Sequence, residues 1–199
     1  MGDGLLVFTG RPNAGKSTII RLLTGLKVRS GKRPGTTRSI SIYKVGKHLS
    51  LVDMPGYGRI SGAPRSQEGR IKDEIIDFIE TRGKDMALVV HVLDISTFLE
   101  ITRRMESKGL IPIDLEMIQF VSENTGEPPI VAANKADKIK GDSEYILSEL
   151  GYRIKEVIPL GTKVAIYAVS GKTGEGVGEL KDAVVRSLVE KGLSTPFKM

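Results

Sequence analysis

Short apolar runs alternate along the chain with segments whose apolar residues recur every three or four positions. The runs predict strands and the amphipathic segments predict helices. The predicted strands are residues 5–9, 39–45, 48–54, 86–93, 129–134 and 164–170, and the predicted helices are residues 16–24, 68–82, 115–124, 143–150 and 177–190. This alternation predicts a three-layer α/β fold with a mostly parallel six-stranded sheet. Only the second and third strands, separated by Gly46 and Lys47, are expected to pair in antiparallel fashion.

One connection is unusually long. Residues 95–114 join a predicted strand to the next helix, whereas α/β connections usually take about 2–6 residues. The segment has room for a short extra helix at residues 100–108. It is either functional or an insertion that is characteristic of the family without a functional role. We therefore expect one domain, residues 1–199, with an insertion at about 95–114.

Composition narrows the classes of protein that fit. The chain has no cysteine, which excludes a disulfide framework and a thiolate zinc site. Its longest apolar runs, residues 5–8 and 86–90, are far shorter than the roughly 20 residues of a membrane span. The first strand begins almost at once, without a charged and apolar leader. We expect a cytoplasmic protein with no membrane partner.

Basic residues are concentrated near one end of the chain. Residues 4–52 hold ten of the 30 Lys and Arg and none of the 24 Asp and Glu, so the rest carries 20 basic and 24 acidic residues, a net charge of −4. Phosphates of a nucleotide need only one or two of the ten. The remainder either forms a solvated basic face or binds a second polyanion such as RNA.

A phosphate-binding loop follows the first strand. Its residues are Gly10, Arg11, Pro12, Asn13, Ala14, Gly15, Lys16 and Ser17, which match GxxxxGK[ST] between a strand and a helix. Backbone N–H groups and the positive helix end would bind the phosphates. Lys16 is predicted to reach the β- and γ-phosphates, and the Ser17 hydroxyl is predicted to ligate Mg²⁺. Thr18 completes the predicted set.

A second element follows the third strand, where Asp53, Met54, Pro55 and Gly56 form a DxPG turn. A carboxylate at this strand end can hold Mg²⁺ through a water, and the Gly56 N–H can bond the γ-phosphate. Loss of that bond on hydrolysis would release residues 57–70, which are rich in Gly, Ser and Arg.

Asn134, Lys135, Ala136 and Asp137 follow the fifth strand and predict guanine selectivity. The Asp137 carboxylate can accept hydrogen bonds from N1–H and the 2-amino group of guanine, a donor pair that adenine lacks. Asn134 would either contact the base edge or tie loops together, and the Lys135 stem can pack on the ring.

Two further segments complete the predicted site. Val169, Ser170 and Gly171 end the last strand, where a backbone N–H can reach guanine O6. Gly35, Thr36, Thr37, Arg38 and Ser39 form a loop in which either threonine can ligate Mg²⁺. All five elements occur in order, and four of them follow the carboxyl end of a strand, where open α/β sheets bind ligands. The sequence therefore predicts a GTP/GDP site with Mg²⁺. His48 and His91 lack a partner at metal spacing and are predicted to be structural or hydrogen-bonded.

These motifs together resemble the translation-factor-related P-loop GTPases, the superclass of Era, Der, MnmE and EngB. The sequence Asp53-Met54-Pro55-Gly56-Tyr57-Gly58 is most similar to the turn of EngB (YihA-type) GTPases, as are the small size and Pro34-Gly35-Thr36-Thr37. The missing N-terminal extension and the long 95–114 segment resemble an archaeal-type member.

The resemblance implies several roles. It assigns the Mg²⁺ threonine to Thr37, so that Lys16, Thr37 and Gly56 act on the reacting phosphate. Tyr57 stands where Ras-like enzymes have the glutamine that orients water. Relatives with an aromatic residue there and an asparagine at Asn13 use K⁺, which implies K⁺-stimulated hydrolysis, unless Asn13 is a plain loop-former.

The implied function is a GTP-hydrolysing switch, monomeric in the GDP state, that acts in ribosome assembly. Its partners would be ribosomal RNA or the large ribosomal subunit, contacted by the basic residues 4–52. The alternative is a GTP-gated protein-binding module with incidental hydrolysis.

Overall fold

The computed structural model describes residues 4–28, 39–58, 65–139, 141–195 and 197. The strands are β1 (Gly4–Thr9), β2 (Ser41–Lys44), β3 (Leu49–Asp53), β4 (Met86–Asp94), β5 (Ile130–Asn134) and β6 (Ile166–Val169). The helices are α1 (Lys16–Thr24), α2 (Arg65–Arg82), α3 (Ile95–Glu106), α4 (Ile113–Thr125), α5 (Ser143–Val157) and α6 (Val177–Glu190). Short 3₁₀ turns occupy Gly83–Asp85 and Ala136–Lys138.

The strands form one sheet in the order β2-β3-β1-β4-β5-β6. β2 runs antiparallel to β3, and every other neighbouring pair is parallel. This confirms the predicted mostly parallel six-stranded sheet with one antiparallel strand. The parallel strands end side by side, so that their last residues, Thr9, Asp53, Asp94, Asn134 and Val169, lie in a row at the carboxyl ends of the strands. The predicted site belongs at these strand ends.

Helices cover both faces of the sheet because side chains alternate along each buried strand. In β1, Leu6 and Phe8 pack in a cluster with residues of α1 and α6. Leu5 and Val7 point the other way, into a cluster with residues of α2 and α4. A third cluster joins α3, α4 and α5 to β4 and β5. None of the described helices combines the length and apolar character that crossing a bilayer requires.

Two helix predictions need correction. The helix predicted at residues 143–150 continues to Val157, because Ile154 buries its side chain beside Leu150 and this packing carries the helix through Gly151. The connection at residues 95–114 holds a full helix, α3, rather than a short one at 100–108. α3 begins directly after β4, where the Asp94 side chain caps it by accepting from the Ser96 N–H at 3.1 Å. Six residues then lead to α4.

Candidate functional site

The phosphate-binding loop lies between β1 and α1, as predicted. Gly15 precedes the helix with φ of 99°, and a Cβ at this position would come within 2.1 Å of Asn134 Nδ2. A side chain is therefore excluded here, and the loop backbone packs directly against β5. Ala14 is buried, and α1 begins at Lys16. The free N–H groups at the start of α1 consequently point toward the loop, which is the arrangement that binds anions.

The Lys16 side chain is buried inside this loop. Its Nζ donates hydrogen bonds to the carbonyl oxygens of Gly10 at 2.8 Å and Arg11 at 3.1 Å. Burial lowers the pKa of Lys16 to about 8, although the carboxylates of Asp53 and Asp114 act in the opposite direction. The loop thus holds a partly desolvated cation, which an anionic ligand would stabilise.

Asp53 lies opposite Lys16 at the end of β3 and is 1% exposed. Burial raises the pKa of Asp53 to about 6, and the positive charge of Lys16 offsets part of that rise. Its Oδ1 is buried and has no hydrogen-bond partner among the described residues. A buried carboxylate oxygen without a donor is costly, so this atom marks a place where a further ligand fits.

The donors at this place suit Mg²⁺. Ser17 is partly exposed in the first turn of α1, and Asp53 supplies one carboxylate. Within the residues that the structure describes, no three His, Cys, Asp or Glu side chains gather into a metal cluster. Mg²⁺ is usually held by one or two carboxylates together with waters and substrate phosphates rather than by a full protein cage. The residues present therefore fit a magnesium ion that arrives with a nucleotide.

The DxPG turn packs on the phosphate-binding loop. Met54 continues the sheet by donating its N–H to the Phe8 carbonyl at 3.1 Å. A Cβ on Gly56 would lie 2.6 Å from Pro12 N and 2.7 Å from its Cα, so only glycine permits this contact. Gly56 is thus close to the loop that would hold the phosphates, as its predicted role requires.

Tyr57 turns inward, away from solvent. It is 3% exposed, and its hydroxyl lies 3.5 Å from both ring nitrogens of His91. Burial raises the pKa of Tyr57 well above 10, and the Asp114 carboxylate raises it further. That Tyr57 does not orient water as a glutamine would stays a prediction, and its burial is compatible with it.

Tyr57 belongs to a buried polar group that connects four elements. Thr9 Oγ1 lies 3.0 Å from His91 Nδ1, and Asp114 Oδ1 lies 3.4 Å from His91 Nε2. The other carboxylate oxygen of Asp114 lies 3.7 Å from the Arg11 guanidinium. The phosphate-binding loop, the DxPG turn, β4 and the start of α4 therefore meet at Asp114. The prediction that His91 is hydrogen-bonded is confirmed, whereas its partners could not be predicted.

On the opposite side, Asn134 joins two loops. Its Nδ2 donates to the Ala14 carbonyl at 2.7 Å, and its Oδ1 accepts from the Gly171 N–H at 2.9 Å. Of the two roles considered for Asn134, the structure favours the tie between loops. Lys135 has φ of 67°, and its ammonium pairs with the Asp94 carboxylate at 2.5 Å. Asp94 was not predicted as a site residue, although its position at the end of a strand could have indicated it.

Asp137 is partly exposed beside the end of β6. Its Oδ1 accepts a hydrogen bond from the Ser170 hydroxyl at 2.7 Å, which lowers the pKa of Asp137. Ser170 Oγ also accepts from the N–H of Lys172 and of Thr173, at 3.3 and 3.1 Å. Ser170 thus orders the turn and holds Asp137 as an ionised acceptor. Val169 is buried, and Ala136 lies in the intervening 3₁₀ turn.

Part of the predicted site is not described. Gly35, Thr36, Thr37 and Arg38 lie outside the described residues, so the assignment of Thr37 stays a prediction. Ser39 is exposed at the start of the hairpin. Asn13 is exposed with φ of 63°, a conformation that asparagine tolerates better than most residues. This geometry suits a loop-former and leaves the K⁺ role a prediction.

Comparisons with known proteins agree with this geometry. The family model described as "50S ribosome-binding GTPase" matches residues 5–135. The probable GTP-binding protein EngB of Pyrococcus horikoshii is 43% identical over 94% of this chain and 84% of its own. The EngB relative of Archaeoglobus fulgidus is 36% identical over 97% and 96%. A crystal structure of a probable GTP-binding protein engB superposes with a TM-score of 0.82, at 40% identity, covering 94% of this chain and 100% of that one.

Proposed function

We infer that this protein is a GTP-hydrolysing switch in assembly of the large ribosomal subunit. The premise is that the chain belongs to the 50S ribosome-binding GTPase family and is an EngB-like member of archaeal type. Its place of action would be the cytoplasm, where ribosomes are made, and its GDP form would be a monomer. Binding of GTP is the property that the family supports. We propose in addition that the protein hydrolyses GTP with the help of metal ions and acts on the ribosome.

One observation supports nucleotide binding above the others. The Lys16 ammonium and the Asp53 carboxylate are both buried and close enough to interact electrostatically, and Asp53 Oδ1 lacks a partner within the described ranges. A triphosphate with its metal ion would pair both charges at once. Ligands that relieve such desolvated groups bind the folded state and stabilise it. The test is a thermal shift with GDP, GTP and ATP, in which only the guanine nucleotides should raise the Tm.

Each residue of the site then has a defined task. Lys16 and the N–H groups of residues 10–15 would bind the phosphates, and Gly56 would donate its N–H to the γ-phosphate. Ser17, Asp53 and Thr37 would hold Mg²⁺, which when bound neutralises charge on the β- and γ-oxygens. Asp137 would accept from the guanine edge, and the turn after Val169 would approach O6. Tyr57 leaves the orientation of water to other groups.

A monovalent cation is the candidate for the additional positive charge that would stabilise the phosphates during hydrolysis. Tyr57 is buried and stands where a glutamine would orient the attacking water. Asn13 is exposed in the phosphate-binding loop, and its side-chain oxygen would contact K⁺. We expect hydrolysis to be faster in K⁺ than in Na⁺ and Asn13→Ala to abolish the difference. Full K⁺ stimulation in this variant would exclude the role of Asn13 while leaving nucleotide binding untouched.

Exposed basic residues near the N-terminus support a ribosomal partner. Arg21, Lys27, Lys44 and Lys47 are exposed within the described ranges. Lys44 and Lys47 belong to the hairpin of β2 and β3, which forms one edge of the sheet. An exposed set of cations without neighbouring acids in sequence favours a polyanionic partner such as ribosomal RNA.

Sedimentation with large ribosomal subunits tests this part. Protein bound to a non-hydrolysable GTP analogue should cosediment, and the bound fraction should fall steeply with salt. Lys27→Glu/Lys47→Glu should weaken cosedimentation about tenfold or more, since each reversal removes a phosphate contact and adds repulsion. The matched control is Lys84→Glu/Lys155→Glu, which reverses two exposed lysines elsewhere. Equal loss in both variants would contradict a specific RNA-facing surface.

A further inference from the structure

A groove of about 660 Å³ lies between α2 and α4, apart from the phosphate-binding loop. Its floor is apolar and is built by both helices, from Ile75, Ile76, Ile113, Met117 and Phe120. Ile75 is fully buried, whereas the other four are only partly covered. The volume is in the range of roughly 300–1,000 Å³ that is typical of ligand sites. Partly covered apolar side chains along two neighbouring helices provide a surface that another helix can pack against.

Two exposed apolar residues come shortly before the groove residue Ile113 in the chain. Leu110 and Ile111 precede Ile113 in the connection from α3 to α4, and they are 51% and 55% exposed. Single exposed apolar residues are common, but adjacent ones beside an apolar groove are a feature of contact surfaces. The 95–114 segment therefore ends with exposed apolar side chains directly before α4.

Charges on the rim indicate what kind of partner fits. Among the described residues that line the groove, Glu68, Glu80 and Glu116 are acidic and Lys72 is basic, so this described rim carries a formal charge of −2. This rim repels nucleic acid, in contrast to the basic residues of the β2–β3 hairpin. It attracts a segment that carries Lys or Arg beside its apolar positions.

We propose that the groove between α2 and α4 docks a basic amphipathic helix of a protein partner, with affinity that depends on the bound nucleotide. The dependence rests on the proposed GTP switch. Tyr57 and Gly58 line the groove and directly follow Gly56, which packs on Pro12 of the phosphate-binding loop. A rearrangement of Gly56 on binding a γ-phosphate would therefore be transmitted to the wall of the groove within two residues.

The test uses a defined probe and fluorescence anisotropy. The probe is a fluorescein-labelled 16-residue helical peptide with leucines at spacings of three and four and lysines on both flanks. A scrambled peptide of the same composition and a peptide with glutamates in place of lysines are the peptide controls. We expect the basic helix to bind, with affinities for the GDP and GTP-analogue forms that differ by about fivefold or more, the usual scale of coupling between sites.

Charge reversal at the rim gives the decisive comparison. Glu80→Lys/Glu116→Lys should weaken the basic peptide about tenfold and should strengthen the acidic one. Asp77→Lys/Glu123→Lys changes the same two helices by the same charge at exposed positions that do not line the groove, and it should stay within about twofold of the wild type. Circular dichroism of both variants verifies folding. Since all four positions are exposed, we expect both to fold.

Three results would overturn the proposal. The first is equal binding of the scrambled and helical peptides, and the second is equal weakening by both charge-reversal variants. The third is equal affinity in the two nucleotide states, which would remove the coupling. A fluorescent nucleotide measured on the same samples keeps the two proposals separate: nucleotide binding without peptide binding contradicts the groove alone. Peptide binding to a protein that binds no nucleotide contradicts the switch, and with it the coupling.

Discussion

The two ends of the proposed nucleotide site differ in how their charged groups are satisfied. At the phosphate end, Lys16 is 7% and Asp53 is 1% exposed, and Asp53 Oδ1 has no partner among the described residues. At the guanine end, Asp137 is partly exposed and accepts from Ser170, and Lys135 pairs with Asp94. The phosphate end holds a buried carboxylate oxygen without a donor and a buried ammonium that is hydrogen-bonded to carbonyl oxygens, whereas the charged groups of the guanine end are paired with Ser170 and Asp94. We therefore expect the phosphates to supply most of the affinity and the base to supply selectivity.

Asn134 connects the two ends. It donates to Ala14 in the phosphate-binding loop and accepts from Gly171 in the turn beside Asp137, while it is 3% exposed itself. A buried amide that satisfies two loops in this way fixes their separation. The protein itself thus fixes the separation between the phosphate-binding loop and the turn beside Asp137.

The largest effect is expected at the phosphate end. Lys16→Ala should lower the affinity for GDP about 100-fold or more, because hydrogen bonds to charged groups contribute about 1.5–3 kcal/mol each and the ammonium can make two. Titration with a fluorescent GDP analogue measures the loss, and Lys84→Ala, an exposed lysine outside the site, is the control. A loss below about tenfold would show that the base, rather than the phosphates, dominates affinity.

A change of selectivity is expected at the guanine end. Asp137→Asn should weaken GTP about 100-fold and create binding of xanthosine triphosphate, because the amide donates where the carboxylate accepted. Competition titrations with GTP, ATP and xanthosine triphosphate measure the exchange. If the order of preference among the three nucleotides stays unchanged, Asp137 does not read the base.

Much of this arrangement could be predicted from the sequence. The strands that carry the site were recognisable because buried parallel strands are continuous apolar runs, and the loop residues follow them at once. For α1 and α6, the predicted bounds agree with the structure, since Gly25 follows the first and the apolar spacing is regular in both. Local signals were sufficient where a residue's role depends on its immediate neighbours in the chain.

Contacts between distant segments could not be predicted in the same way. Nothing near His91 in the sequence indicates Asp114, which is placed beside it only by the packing of α4. The extension of α5 through Gly151 likewise depends on the burial of Ile154, which outweighs the weak helix preference of glycine. Residues 29–38 carry the predicted Thr37 and lie outside the described ranges, so that ligand remains a prediction.

A smaller effect is expected behind the phosphate end, where Tyr57 supports the DxPG turn. Tyr57→Phe should lower the free energy of unfolding by about 1–3 kcal/mol at neutral pH, because the buried His91 and Asp114 lose a partner. Above pH 10 the difference should shrink. The raised pKa means that the folded protein retains a proton which the unfolded chain releases, so wild-type stability falls with rising pH through this window.

Urea unfolding at about pH 7.5 and about pH 11 measures both parts of this prediction, with the exposed Tyr145→Phe as the control. The control should follow the wild type at both pH values. A Tyr57→Phe protein that is as stable as the wild type at neutral pH would mean that the hydroxyl contributes nothing to holding the turn on Pro12.

The smallest effect separates orientation from recognition at the guanine end. Ser170→Ala removes the hydroxyl that bonds Asp137 and orders the N–H groups of Lys172 and Thr173, but it leaves the carboxylate in place. We expect about a five- to tenfold loss in GDP affinity, the worth of one ordinary hydrogen bond of about 1 kcal/mol. Binding of ATP should not improve, because Asp137 still carries the selectivity.

Thr173→Ala, measured in the same titration, controls for general loosening of the turn. If Ser170→Ala matched the loss of Asp137→Asn, the guanine end would depend on its supporting hydrogen bonds as strongly as the phosphate end depends on its ligand, and the contrast between the two ends would disappear.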